Sequence, residues 1–166
     1  HLSGASRVSD SVILSTNVIH VYDLESSVVD MAPPYEYTVD PSDELEIPVI
    51  TTNNGNGADR YDVRVARVTD LTSGSEVLWD VDVPRGILSE LQRGESENIT
   101  VSVNVPLMVT AGAYEIVLDV FSEESYPNSA GRPTRLRDSI TLSITVNEFH
   151  DMQLWLDPFV ESDVKT

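Results

Sequence analysis

From Glu44 to Val65 the chain keeps a period of two. Leu45, Ile47 and Val49 alternate with other residues, and Tyr61, Val63 and Val65 resume the pattern after Thr51-Thr52-Asn53-Asn54-Gly55-Asn56-Gly57-Ala58-Asp59. That period places one set of side chains on one face of an extended strand, so a chain built this way buries half of a sheet rather than a stripe of a helix. The Asn- and Gly-rich connection offers residues that tolerate positive φ, which tight strand connections use. Two strands meeting at such a turn read as one corner of a β-sandwich.

The alternation recurs along the rest of the chain. Val77, Trp79, Val81 and Val83 form one inward set, followed by Ile99, Val101, Val103 and Val105, then Tyr114, Ile116, Leu118 and Val120, and finally Leu136, Ile140, Leu142, Ile144 and Val146. Asp62, Arg64 and Ala66 are expected to face solvent. Met31-Ala32-Pro33-Pro34 is a crossing, because its prolines donate no ladder hydrogen bonds, and Tyr35 to Val39 resume as a short strand. Pro48 demotes the strand from Glu44 to an edge or a bulge. Pro84 to Leu91 is the one stretch with helical character, too short for more than a turn. Glu123 to Arg135 is a long polar loop. Many short strands separated by turn signals predict an all-β fold, an immunoglobulin-like two-sheet antiparallel sandwich of about seven strands.

Composition narrows the chemistry. The formal charge is −18, with 28 acidic against 10 basic side chains, and Lys165 is the only lysine. Such a surface repels phosphate backbones and anionic headgroups, which argues against nucleic acid partners and membrane insertion. There is no cysteine, so disulfides, thiolate metal sites and thiol nucleophiles are excluded and packing must hold the fold. The chain starts at His1 without an initiator Met or an apolar leader, as expected if a targeting segment is removed or lies upstream.

The two ends resemble each other. Asp10-Ser11-Val12-Ile13-Leu14-Ser15 matches Asp138-Ser139-Ile140-Thr141-Leu142-Ser143, and Asn17, His20 and Leu24 match Asn147, His150 and Leu154 after a slip of two residues. The alternative is a chance likeness of two strands with similar composition. Read as a repeat, residues 17–146 are one complete module. Residues 1–16 are then the terminal strand of a preceding module or an N-terminal arm, and residues 147–166 a linker and first strand of a following module or a C-terminal arm. Val12, Leu14, His20, Phe149, His150, Trp155 and Leu156 are the candidate assembly residues, meeting copies of the chain or neighbouring modules by strand addition.

Tyr37 to Val49 with Asn53 to Tyr61, Leu91-Gln92-Arg93-Gly94-Glu95-Ser96, and Val105-Pro106 leading to Ala111-Gly112-Ala113-Tyr114 resemble the CARDB-type and alpha-galactosidase-associated Ig-like modules of bacterial and archaeal surface proteins. The resemblance covers about Tyr37 to Val146. It implies an extracellular or cell-surface spacer, adhesive or assembly module repeated in tandem. Independently of the family, Gly94 suits a positive-φ turn, and Tyr114 sits where a tyrosine corner places its hydroxyl on an upstream carbonyl.

Reaction chemistry is not legible. No nucleophile elbow, zinc-binding H-E-x-x-H or P-loop occurs, and the expectation is a protein that is not an enzyme. Asn53, Asn56, Asp59 and Asp62 are candidate oxygen ligands for calcium, although their spacing lacks the terminal Glu of an EF-hand, and a plain turn explains the same residues. Asn98-Ile99-Thr100 is a candidate glycosylation sequon. The other functional class is an accessory carbohydrate-binding or adhesive module of a larger secreted protein. Glycan partners favour exposed aromatics, whereas Trp79 points inward and Tyr126 and Trp155 lie in the long loop and the last segment.

Overall fold

The period-two stretches fold as strands, and their apolar faces meet between two sheets. The computed structural model describes residues 11–83, 87–123 and 137–148. Within them the strands are β1 (Leu24–Val28), β2 (Tyr35–Val39), β3 (Glu44–Asn53), β4 (Asp59–Asp70), β5 (Ser75–Glu76), β6 (Asp80–Asp82), β7 (Ile87–Leu91), β8 (Ser96–Asn104), β9 (Gly112–Ser122) and β10 (Arg137–Val146). One sheet runs β1-β3-β8-β6 and the other β2-β10-β9-β4-β5, with β7 also beside β4. This is an immunoglobulin-like β-sandwich. Of the side chains expected inside, Ile47, Val49, Tyr61, Val63, Val101, Val103, Tyr114, Ile116, Leu118, Leu142 and Ile144 are buried, while Leu45, Val65 and Trp79 pack partly buried against them.

Several local expectations give way to the sheet topology. The run from Val77 to Val83 is not one strand: β5 pairs with β4 and β6 with β8, so residues 77–79 carry the chain from one sheet to the other. Trp79 lies at this crossing, its ring tilted against Tyr114 at 4.8 Å. β3 is an interior strand with β1 on one side and β8 on the other, despite Pro48. The Pro48 carbonyl accepts the Val29 amide at 2.9 Å, so the missing donor faces the side where β1 has already ended at Val28. Ile87 to Leu91 is a strand rather than a helical turn, held by pairing with β4.

Among the described residues the sandwich is antiparallel except at one pair. β2 lies parallel to β10, from Tyr35 opposite Leu142 to Val39 opposite Val146. The cause is the crossing between β1 and β2, which changes sheet without reversing the direction of the chain. Two further expectations hold in detail. Gly94 has φ of 78°, and the Tyr114 hydroxyl donates to the Thr110 carbonyl at 2.7 Å.

The register fixes two poles. At the upstream pole Leu24 lies opposite Asn53, Asp59 opposite Leu91, and Tyr61 opposite Ser122. At the downstream pole Val146 lies beside Val39 and Gly112, and Glu44 opposite Asn104. The chain therefore arrives at one pole and leaves at the other, about 30 Å away for a strand as long as β10.

Candidate functional site

The Asn- and Gly-rich connection between β3 and β4 is a clasp for the incoming chain. Residues 17–23 approach β1 without joining a sheet through residue 23. The Asn56 side chain reads their backbone from both sides: its Oδ1 accepts the Val21 amide at 2.7 Å and its Nδ2 donates to the Ile19 carbonyl at 2.8 Å. The Asn56 amide donates to the Val21 carbonyl at 3.0 Å, and the Asn54 and Gly55 amides donate to the Asp23 carbonyl at 2.9 and 3.1 Å. Five hydrogen bonds thus hold a segment that contributes little apolar burial of its own.

Asn53 is the hub beneath this clasp. It is buried, its Nδ2 donates to the carbonyls of Gly57 and Leu91, both at 2.8 Å, and its Oδ1 accepts the Gly55 amide at 2.9 Å. Its backbone carbonyl accepts the Gly94 amide at 2.7 Å, tying the clasp to the turn before β8. The glycines serve close approach rather than the positive φ expected of them. A Cβ on Gly55 would stand 2.6 Å from the Val21 carbonyl oxygen, and one on Gly57 would run into the His20 imidazole. That imidazole stacks on Tyr22 with ring centroids 4.1 Å apart.

The structure therefore joins His20, a candidate for assembly, to Asn53 and Asn56, candidates for calcium, in one clasp. It does not bring Asn53, Asn56, Asp59 and Asp62 together as a ligand shell. Both asparagine amides are bonded to backbone. Asp59 accepts the Arg60 amide at 2.7 Å and the Ser122 hydroxyl at 2.5 Å inside the sandwich. Asp62 projects from the opposite face of β4, where Arg64 pairs with it. It is buried beneath that guanidinium and between β7 and β9, contrary to the solvent-facing position expected of it. Among the described residues no group of three or more His, Asp or Glu side chains is placed to hold a metal ion.

Tyr61 reaches into this pole from β4. Its hydroxyl is buried without a hydrogen-bond partner among the described residues. Burial pushes its pKa up, and the carboxylates of Asp59 and Asp23 push it further in the same direction. Asn98 is exposed on β8 opposite Ile50, open to a modifying enzyme. Val12 and Leu14 lie in a segment outside both sheets, 82% and 88% exposed. Phe149, His150, Trp155 and Leu156 lie outside the described residues.

The downstream pole carries a feature that sequence reasoning missed. The Asn147 amide donates to the Val39 carbonyl at 2.9 Å, and its side chain donates to Asp40 at 2.8 Å. Beside it an open groove of about 490 Å³ is lined by Pro41, Leu107, Met108, Val109, Ala111, Asn147 and Glu148. Leu107 and Met108 are 68% and 92% exposed. The signal was present in the sequence: two large apolar side chains in the loop that follows Pro106, where the strand alternation has already ended.

The arrangement defines a β-sandwich with the segment before β1 clasped at one pole, and it assembles no reaction centre among the described residues. One solved structure shares the fold. Part of a family 123 glycoside hydrolase from Clostridium perfringens has a similar fold, with a TM-score of 0.56 and 10% identity over 76% of this chain. This chain spans 28% of that one. The PapD-like domain 7 of human CEP192 aligns with a TM-score of 0.49 and 13% identity, over 76% of this chain and 87% of that domain. A CARDB domain from Pyrococcus furiosus, solved with di-metal ions, aligns with a TM-score of 0.42 and 15% identity, over 76% and 89% of the two chains. No protein-family model and no curated protein sequence matches the chain. No helix among the described residues is long and apolar enough to cross a membrane.

Proposed function

We propose that this chain is a non-enzymatic structural module of an extracellular, surface-borne tandem-repeat protein of the CARDB type, joined head to tail to neighbouring copies. One observation carries the reading. The segment that reads as a copy of the last strand stands outside the sandwich: Val12 and Leu14 are exposed, whereas the matching residues of β10, Ile140 and Leu142, are 2% and 0% exposed. A sequence shaped to be buried on one face and left in solvent is a strand without its sheet. In a tandem protein that sheet is the preceding module's, the segment from Asn17 to Asp23 is the linker, and residues 17–146 are the unit. The opposite poles of arrival and departure suit a spacer that extends in one direction.

Removal of residues 1–16 tests the boundary. The melting temperature of the shortened chain should stay within about 2 °C of the parent, because residues 11–16 are exposed and join neither sheet. A fall of more than about 5 °C would place that segment in this sandwich and sink the reading. A glycan-binding screen tests the other functional class. Every described Trp, Tyr and Phe is at least partly buried, which favours a spacer over a sugar platform. A saturable hit would favour the accessory-module role instead.

A further inference from the structure

We propose that Asn56 is a site of spontaneous covalent modification, deamidation through a cyclic imide, which the clasped segment holds back and which, once it has happened, weakens the clasp for good. The two Asn-Gly steps of the chain are adjacent, Asn54-Gly55 and Asn56-Gly57. In such a step the glycine backbone nitrogen attacks the asparagine Cγ, and a residue without a Cβ leaves that approach open. At Asn56 the Gly57 nitrogen bonds to Cγ and gives up its proton, the Cγ–Nδ2 bond breaks, and Nδ2 leaves as ammonia with that proton. Water then opens the five-membered imide at either carbonyl, leaving aspartate or isoaspartate at position 56.

The geometry separates the two steps. The Gly55 amide is buried and donates to the Asp23 carbonyl at 3.1 Å and to Asn53 Oδ1 at 2.9 Å, so the nucleophile for Asn54 is withheld in part by a side chain of the sandwich itself. The Gly57 amide donates to no group among the described residues, and Asn56 is exposed. What restrains Asn56 is the incoming chain. Its Oδ1 accepts the Val21 amide at 2.7 Å and its Nδ2 donates to the Ile19 carbonyl at 2.8 Å, and a carboxamide held at both ends is not free to turn onto the Gly57 nitrogen. The His20 imidazole fills the space beside Gly57. Release of residues 17–23 removes all three restraints together. The product has no N–H for the Ile19 carbonyl and sets a carboxylate oxygen against it, so the segment is held less well on its return. These contacts lie within one chain, so the site is the same in a lone module and in a tandem.

The test ages the full chain at neutral pH and physiological temperature and follows both asparagines by peptide mass mapping, with a synthetic peptide of residues 50–60 as the unrestrained reference. In the parent both should deamidate at least about tenfold more slowly than in the peptide. Val21→Pro, which removes the amide that Asn56 Oδ1 accepts, should speed Asn56 by about tenfold and leave Asn54 slow. Urea below the unfolding transition should do the same in the parent, because the clasp opens before the sandwich does. That arm decides the matter if the variant unfolds and both sites accelerate in it. Asn56→Asp, the product made directly, should raise hydrogen exchange across residues 17–23 by about tenfold. Asn56 reacting at the peptide rate in the parent, Asn54 and Asn56 accelerating together in urea below the transition, or unchanged exchange in Asn56→Asp would each overturn the proposal.

Discussion

Asn53 is the residue on which the upstream pole should stand or fall. Replacing it with Ala removes three side-chain hydrogen bonds and leaves the Leu91 and Gly57 carbonyls without their amide donor. At about 1 kcal/mol per bond, with a further penalty for the buried orphaned carbonyl, the loss is about 3 to 5 kcal/mol. That is a large share of the ~5–15 kcal/mol that holds a domain of this size. Asn53→Asp sharpens the reasoning. A carboxylate can still accept the Gly55 amide, but it turns an acceptor toward two carbonyls that need a donor, so the loss should at least equal that of the Ala variant. An oxygen-ligand role for this loop makes the opposite forecast, since the extra negative charge would strengthen calcium binding. Urea unfolding of the parent and both variants, with calcium and with chelator at matched ionic strength, decides between them. A loss below about 1 kcal/mol for Asn53→Asp, or its rescue by calcium, would refute the clasp.

Ile116→Ala and Leu142→Ala, which empty fully buried positions facing each other across β9 and β10, should each cost about 2 to 5 kcal/mol in the same assay. The −18 charge should make the melting temperature rise with salt as screening shortens to about 10 Å at 0.1 M, with calcium and sodium equivalent at equal ionic strength, as calorimetry would record. Tyr61 keeps its proton in the folded state above the pH at which the unfolded chain loses it. Stability should therefore be complete below about pH 10 and fall as pH rises beyond it, and Tyr61→Phe should flatten that fall in urea midpoints measured across the range.

The sandwich was legible because alternation is a local property that survives into the fold. Ile99, Val101 and Val103 face inward for the reason their spacing gives. What was not legible depended on which strand lay next door. Nothing between Val77 and Val83 marks the point where the chain leaves one sheet for the other. Asp62 keeps its outward side of the pleat yet is covered, because burial there is decided by Arg64 and by strands distant in sequence. Gly55 and Gly57 signalled a tight place, but a sequence cannot say whether a glycine is there for its dihedral angles or for the space it leaves. The Asn and Asp residues of this loop carry the oxygen atoms of a metal site and the amides of a backbone clasp alike, and only their partners tell the two apart.

The parallel pairing of β2 with β10 has a mechanical consequence. Tension between neighbours in a tandem chain would pull Leu24 outward at one pole and Val146 outward at the other. Both pulls run along the strands, so β1 must slide against β3, and β10 against β2 and β9, with the ladder bonds loaded together in shear rather than opened one at a time. Ser26 adds a stitch between the two loaded strands, its amide donating to Asp138 of β10 at 2.7 Å. A pull applied at the two poles would therefore meet the ladders in shear.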